Sequence, residues 1–176
     1  TVVVPEMECD DFTIKVNQSS GHVTTPVIVM EESEVTTSWR NETFPIRDGR
    51  VVPSGVSTGA VIERHSDDNS IGVGFISGFD LDGGAIATTF AHDSHNLIVI
   101  GQDLPDMVSA VNRLDQLDGG LICVKDGSIL AELPLPIAGL MSERKIEIVK
   151  SRLSELEEAG QTMGCEVENP FMNLSL

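Results

Sequence analysis

The order of short apolar segments along the chain constrains its fold more than any other feature of the sequence. Runs of β-branched and small apolar residues that have the length and composition of strands lie at 12–16, 22–30, 71–79, 85–91, 97–100, 121–124 and 128–133. Helical spacing of apolar residues is confined to two places, so helices do not alternate with strands. Because parallel neighbours need long crossovers, this order predicts an α+β domain with a mixed or largely antiparallel sheet.

The two main helices are predicted at about 103–118 and 142–163. Asp103 has the character of an N-cap, apolar residues follow it at helical spacing, and Gly119 provides the stop. The last dozen residues have no clear pattern and are expected to be irregular. Since no repeat or low-complexity linker divides the chain, we expect one domain over residues 1–176.

Charge and hydropathy argue against two classes of partner, nucleic acids and membranes. The chain carries 28 Asp and Glu against 11 Lys and Arg, a formal charge of −17. Such a surface repels phosphate backbones, so we expect no nucleic acid partner. No apolar run approaches the roughly 20 residues that span a bilayer, and the N-terminus lacks the features of a signal peptide, so we expect no membrane association.

The three cysteines are far apart and form no CxxC pair, which favours a reducing compartment and a cytoplasmic location. The acidic residues are dispersed along the chain, and lysine is scarce. Such a surface is typical of halophilic cytoplasmic proteins, in which concentrated salt screens the self-repulsion. The alternative is an acidic protein from a non-halophilic organism.

A polar segment between two apolar strands is the sharpest candidate site. Residues 92–96 read His-Asp-Ser-His-Asn, and a turn could bring the two imidazoles to the same side. Imidazole and carboxylate are common metal ligands, but a metal site normally needs three or more. The candidate ligand or auxiliary-site residues are His92, Asp93, His95 and Asn96, with His65 or Glu63 as a further metal ligand. The alternative is that Asp93 and Asn96 satisfy backbone groups of the turn and the histidines make ordinary hydrogen bonds.

The remaining motifs do not support a nucleotide-phosphate site or a hydrolase nucleophile. The glycines at 72–84 do not form GxGxxG before a helix, and neither a phosphate-binding GxxxxGK[ST] loop nor a GxSxG nucleophile elbow occurs. In the run 71–79, glycine alternates with apolar residues. That alternation suits a strand approached closely by another backbone or by a ligand.

Several long segments resemble the C-terminal domain of adenine deaminase. The resemblance is dense over residues 71–142 and extends to the C-terminus, whereas residues 1–60 match only in general character. The segments that carry it are Ala91-His-Asp-Ser-His-Asn96, Gly119-Gly120-Leu121, Leu133-Pro-Leu-Pro-Ile-Ala-Gly-Leu-Met-Ser142 and Asn169-Pro-Phe-Met-Asn-Leu-Ser-Leu176.

The resemblance implies that the chain is part of a larger enzyme, which hydrolyses adenine to hypoxanthine and ammonia in purine salvage. In that family an amidohydrolase barrel with two metal ions, usually manganese or iron, lies N-terminal to this region. The barrel would be the partner of this domain and would bind the adenine. No catalytic residue and no certain cofactor is therefore expected within this chain, and a homo-oligomer is left open.

Three roles for the domain follow from these expectations. It could be an accessory domain that packs on the barrel or on a neighbouring subunit. It could carry a ligand or auxiliary metal site of its own at His92, Asp93 and His95. It could also be a free-standing small-molecule or metal-binding module that uses the same cluster.

Overall fold

A nine-stranded sheet with helices on both faces forms the domain. The computed structural model describes residues 2–30, 36–66 and 70–175. The strands are β1 (Ser20–Met30), β2 (Thr37–Arg47), β3 (Arg50–Val51), β4 (Ser57–Ile62), β5 (Ile71–Ser77), β6 (Ala85–Thr88), β7 (Leu97–Gly101), β8 (Gly120–Lys125) and β9 (Ser128–Pro134). The helices are α1 (Leu104–Gln116), α2 (Ile146–Thr162) and α3 (Pro170–Leu174). The predicted α+β domain is confirmed.

The sheet is mixed, as expected, and nearly all of its pairings are antiparallel. Its strand order is β3-β2-β1-β5-β4-β7-β6-β8-β9, and among the strand pairs of the described residues only β1–β5 is parallel. Tight Asp-Gly turns connect β2 to β3 and β8 to β9. Both residues of each turn have positive φ, from 49° at Asp48 to 77° at Gly49. This conformation suits the twist of a two-residue hairpin, which explains the choice of Asp and Gly.

Helix α1 covers one face of the sheet, here called the α1 face. Its N-cap Asp103 accepts a hydrogen bond from the backbone N–H of Asp106 at 3.2 Å, as its sequence predicts. The apolar stripe of α1 packs against alternate strand residues such as Ala85, Ala87 and Val99. The N-terminal segment extends this cover over β1, β2 and β5, where Phe44 and Phe75 pack edge to face.

Helices α2 and α3 lie on the opposite face, here called the α2 face. They pack on the other set of alternate strand residues, which includes Ile86, Ile100 and Leu133. Within the described residues, no helix is long and apolar enough to cross a membrane.

Two local predictions were wrong, and one confirmed helix begins later than its predicted bound. Residues 12–16 are not a strand, because Phe12 ends a 3₁₀ helix (Cys9–Phe12) that begins with a capping box, and only an isolated bridge at Lys15 follows. Helix α2 begins at Ile146 rather than at 142, since Ser142 Oγ accepts the N–H of Arg144 at 3.2 Å in a local turn. The C-terminal dozen contains α3, which starts with a proline at its first turn.

Candidate functional site

The candidate residues 92–96 lie in the loop that joins β6 to β7, defined here as the His loop (residues 89–96). Within it the backbone N–H of His95 bonds to the carbonyl of Ala91 at 2.7 Å, and His95 adopts a left-handed conformation with φ of 51°. The side chains of His92, Asp93 and Ser94 are exposed, whereas His95 is half-buried. The loop therefore presents His92 and Asp93 to solvent.

A buried arginine fixes this loop. Arg64 follows β4 and is only 2% exposed, and its guanidinium donates to three backbone carbonyls. Its Nε donates to the carbonyl of His95, and its Nη2 to the carbonyls of Ala138 at 2.9 Å and Thr89 at 3.4 Å. Burial lowers the pKa of Arg64 from its ordinary value, since desolvation disfavours the charged form. The three carbonyls compensate for the water that this cation has lost.

Thr89 makes a second connection beneath the loop. Its buried hydroxyl donates to the carbonyl of Gly139 at 2.7 Å and accepts the N–H of Gly120 at 2.9 Å. The N–H of His92 in turn donates to the carbonyl of Ser175 at 2.7 Å. The His loop, the turn at 137–141 and the C-terminal segment thus meet at one place, although they lie far apart in the sequence.

The two imidazoles are close but do not converge on a common point with a third ligand. Their ring centroids are 6.3 Å apart, and the Phe90 ring packs edge to face on His92 at 4.9 Å. Nδ1 of His95 is buried and has no hydrogen-bond partner among the described residues. Within residues 2–30, 36–66 and 70–175, no group of three His, Cys, Asp or Glu side chains is placed to hold a metal ion.

The residues suggested as further ligands have other partners. Nε2 of His65 donates to the carbonyl of Ser94 at 2.9 Å, which brings His65 to the loop but engages that nitrogen. Glu63 accepts the N–H of His65 at 2.6 Å and also bonds to Ser66. The bond from His65, followed by those from Ser66, lowers the pKa of the Glu63 carboxyl. A metal role for His92, Asp93, His95 and His65 stays a prediction.

A cleft of about 220 Å³ lies elsewhere, between the end of α2 and the start of α3. Glu157, Gln161 and Cys165 are among its lining residues, and no residue of the His loop lines it. The His loop is therefore an exposed surface loop rather than the wall of that cleft. The exposed imidazole of His92 can donate or accept a hydrogen bond with a group that approaches from outside.

Sequence reasoning identified the loop but missed the residues that hold it. It assigned no role to Arg64 or Thr89. Nothing local marks either residue as a brace, because their partners lie 25 to 74 residues away in the sequence.

Comparison with known proteins shows to which protein family this mixed-sheet domain is similar. The family model described as the adenine deaminase C-terminal domain matches residues 34–176. The adenine deaminase of Moorella thermoacetica is 44% identical over 167 residues, which is 92% of this chain and 28% of that protein. Those of Brucella abortus and Roseobacter denitrificans are 45% and 41% identical, over 73% and 95% of this chain.

The chain belongs to the adenine deaminase C-terminal domain family. It spans 23% to 28% of the length of these three adenine deaminases. The relatives are therefore longer proteins in which this region is a C-terminal domain.

Proposed function

We propose that residues 1–176 form the accessory C-terminal domain of an adenine deaminase that acts in cytoplasmic purine salvage. The observation that carries the proposal is the family match together with the small share of each relative that the chain covers. The catalytic centre would lie in an N-terminal amidohydrolase barrel of the same polypeptide. That barrel is the proposed partner of this domain and the proposed site of adenine binding.

The reaction would be a hydrolysis in which water adds to the purine carbon that bears the amino group and ammonia leaves. A manganese or iron pair in the barrel would supply an activated water. The described residues of this chain do not fit such a centre, because they bring no three ligands together. We therefore assign no step of the hydrolysis to them and place the domain's role in supporting the catalytic part.

The test compares ammonia release from adenine by this chain and by a longer polypeptide that continues N-terminally, both with manganese in concentrated KCl. Only the longer polypeptide should turn over adenine. Ammonia release by the folded 176-residue chain would overturn the accessory role, and failure of the manganese-loaded longer polypeptide to deaminate adenine would overturn the assignment.

The His loop supports a second candidate function, a ligand or auxiliary metal site of the domain itself. The observation in its favour is the unpartnered Nδ1 of His95 beside the exposed His92 and Asp93. If the cluster is a site, replacing His92 and His95 together by Ala should leave the melting temperature unchanged and abolish metal or adenine binding. A clear loss of stability with unchanged binding would reject this candidate site. The control is His22→Ala, at an exposed position of β1.

The composition also leads us to propose a halophilic origin. The acidic side chains behind the formal charge of −17 repel one another at low salt. At molar salt the screening length falls to about 3 Å, which weakens this repulsion. The melting temperature should therefore rise from low to molar KCl. A flat or falling curve would contradict this proposal.

A further inference from the structure

Helices α2 and α3 cover only part of their face of the sheet. Strand register places Trp39 of β2 opposite Ile28 of β1, Ile28 opposite Ile76 of β5, and Val61 of β4 opposite Ile98 of β7, all on the α2 face. Trp39 is 69% exposed, Ile28 45% and Val61 41%. We define the open face as the α2-face strand residues Trp39, Ile28, Ile76, Val61, Gly72 and Gly74.

The open face is neutral on a strongly acidic chain. Among the described residues of β1, β2, β4 and β5 that point to the α2 side, none is Asp or Glu, and the one Lys or Arg is Arg47 at the end of β2. The chain as a whole has a formal charge of −17, so a neutral apolar area of this kind is a local exception. Exposed apolar areas rimmed by polar residues mark interaction sites on proteins.

Two glycines leave a shallow depression in the middle of the open face. A Cβ atom added to Gly72 or Gly74 would have no heavy atom within 4 Å, so open space lies above both residues. Glycine in a strand weakens the strand and often marks a place where another backbone comes close. The exposed Trp39 and Ile28 beside this depression supply apolar contact area. The shape therefore suits a protein surface that seats on the sheet.

We propose that the open face is the surface on which the N-terminal part of the longer adenine deaminase polypeptide docks. The inference rests on the proposed function. Because the chain covers 23% to 28% of its relatives, about three quarters of each lies outside the matched region, and the family name makes this region the C-terminal domain. A segment in the same polypeptide has a high effective concentration, so even an interface of ordinary interdomain size is occupied.

A second copy of the chain fits the open face less well. Each copy would bring a formal charge of −17 to the encounter, and net charge of one sign opposes association. Covalent linkage overcomes such repulsion for the N-terminal part, whereas a free copy has no such advantage.

The test is hydroxyl-radical labelling read out by peptide mass spectrometry. Trp39 is the single tryptophan of the chain, so its peptide reports on the open face. Its labelling rate should fall roughly threefold or more from the 176-residue chain to the longer polypeptide, because the core of an interface excludes water. Leu130 is 42% exposed on the far edge strand β9 and should label equally in both.

Steric variants separate docking from folding. Gly74→Val adds a β-branched side chain where space is open, so the 176-residue chain should melt at an unchanged or higher temperature. In the longer polypeptide it should block close approach and return Trp39 labelling to the rate of the isolated chain. Ile28→Asp should act in the same way. Ser128→Val and Ile129→Asp, on exposed positions of β9, are the matched controls and should leave Trp39 protected.

The outcomes separate this proposal from the one on which it rests. Equal Trp39 labelling in both proteins, while the longer one deaminates adenine, overturns the docking surface and leaves the proposed function standing. Protection of Trp39 in the 176-residue chain that increases with its concentration assigns the open face to self-association and also overturns the proposal. Absence of deamination by the longer protein refutes the proposed function and with it the identity of the occupant, whatever the labelling result.

Discussion

Replacement of Arg64 by Met tests how the His loop is held. The guanidinium joins the His loop to the turn at 137–141 through the carbonyls of His95 and Ala138, and Thr89 adds a longer third bond. Methionine keeps much of the length and packing of the side chain but removes every donor. The substitution therefore isolates the hydrogen bonds from the burial of the aliphatic stem.

Two opposing contributions set the size of the effect. A hydrogen bond to a charged group contributes about 1.5–3 kcal/mol, so the loss of two good bonds removes about 3–6 kcal/mol. Against this, removal of a buried charge regains a desolvation penalty that reaches several kcal/mol per ion. Because water can reach the part-buried carbonyls of His95 and Ala138, we expect a net loss of about 2–3 kcal/mol, or about 5–10 °C in Tm for a domain of this size.

Calorimetry and hydrogen exchange would measure the effect. Exchange should accelerate in the His loop and at 137–141 more than in the rest of the sheet. Arg152→Met, which breaks an exposed i,i+3 ion pair with Glu155 on α2, is the control and should cost less than about 0.5 kcal/mol. A Tm for Arg64→Met equal to or above that of the control would refute the argument that Arg64 braces the loop.

Three further predictions concern a buried hydroxyl, an ion pair and the cysteine thiols. Thr89→Val leaves two buried backbone groups unpaired and should cost about 2–3 kcal/mol in urea unfolding, whereas a loss under about 1 kcal/mol would contradict its bridging role. The hydrogen bond from Arg113 lowers the pKa of Glu132, so the pair stabilises the fold above the unfolded-state pKa, and this contribution disappears as the pH falls through the folded-state pKa. Glu132→Gln should therefore cost less than about 1 kcal/mol near neutral pH, and a difference that does not shrink on acidification would argue against the pair as its source. A thiol reagent should modify only Cys9 in the native chain, since burial raises the pKa of Cys123 to about 12, and rapid reaction of a second thiol would contradict the buried assignment.

Much of the sheet could be predicted because its signals are local. Apolar β-branched runs and Asp-Gly turns depend on steric preferences within a few residues, and so do the N-cap Asp103 and the stop at Gly119. These signals gave the class of fold and most of the strands. They failed at residues 12–16, where Phe12 ends a 3₁₀ helix and only Lys15 bridges to a strand, and at α3, whose five residues are too few for a periodic pattern.

The candidate site, too, could be predicted only in part. The sequence by itself determined which residues share the loop 92–96 and which family the chain resembles, because both depend on residue order alone. Only the tertiary structure decided that Arg64 and Thr89 hold this loop against the turn at 137–141 and the C-terminus. It also decided that part of the α2 face, over β1, β2, β4 and β5, is left without a helix. Such partnerships depend on how distant segments pack, and a buried donor bonds to whichever carbonyls the fold places beside it.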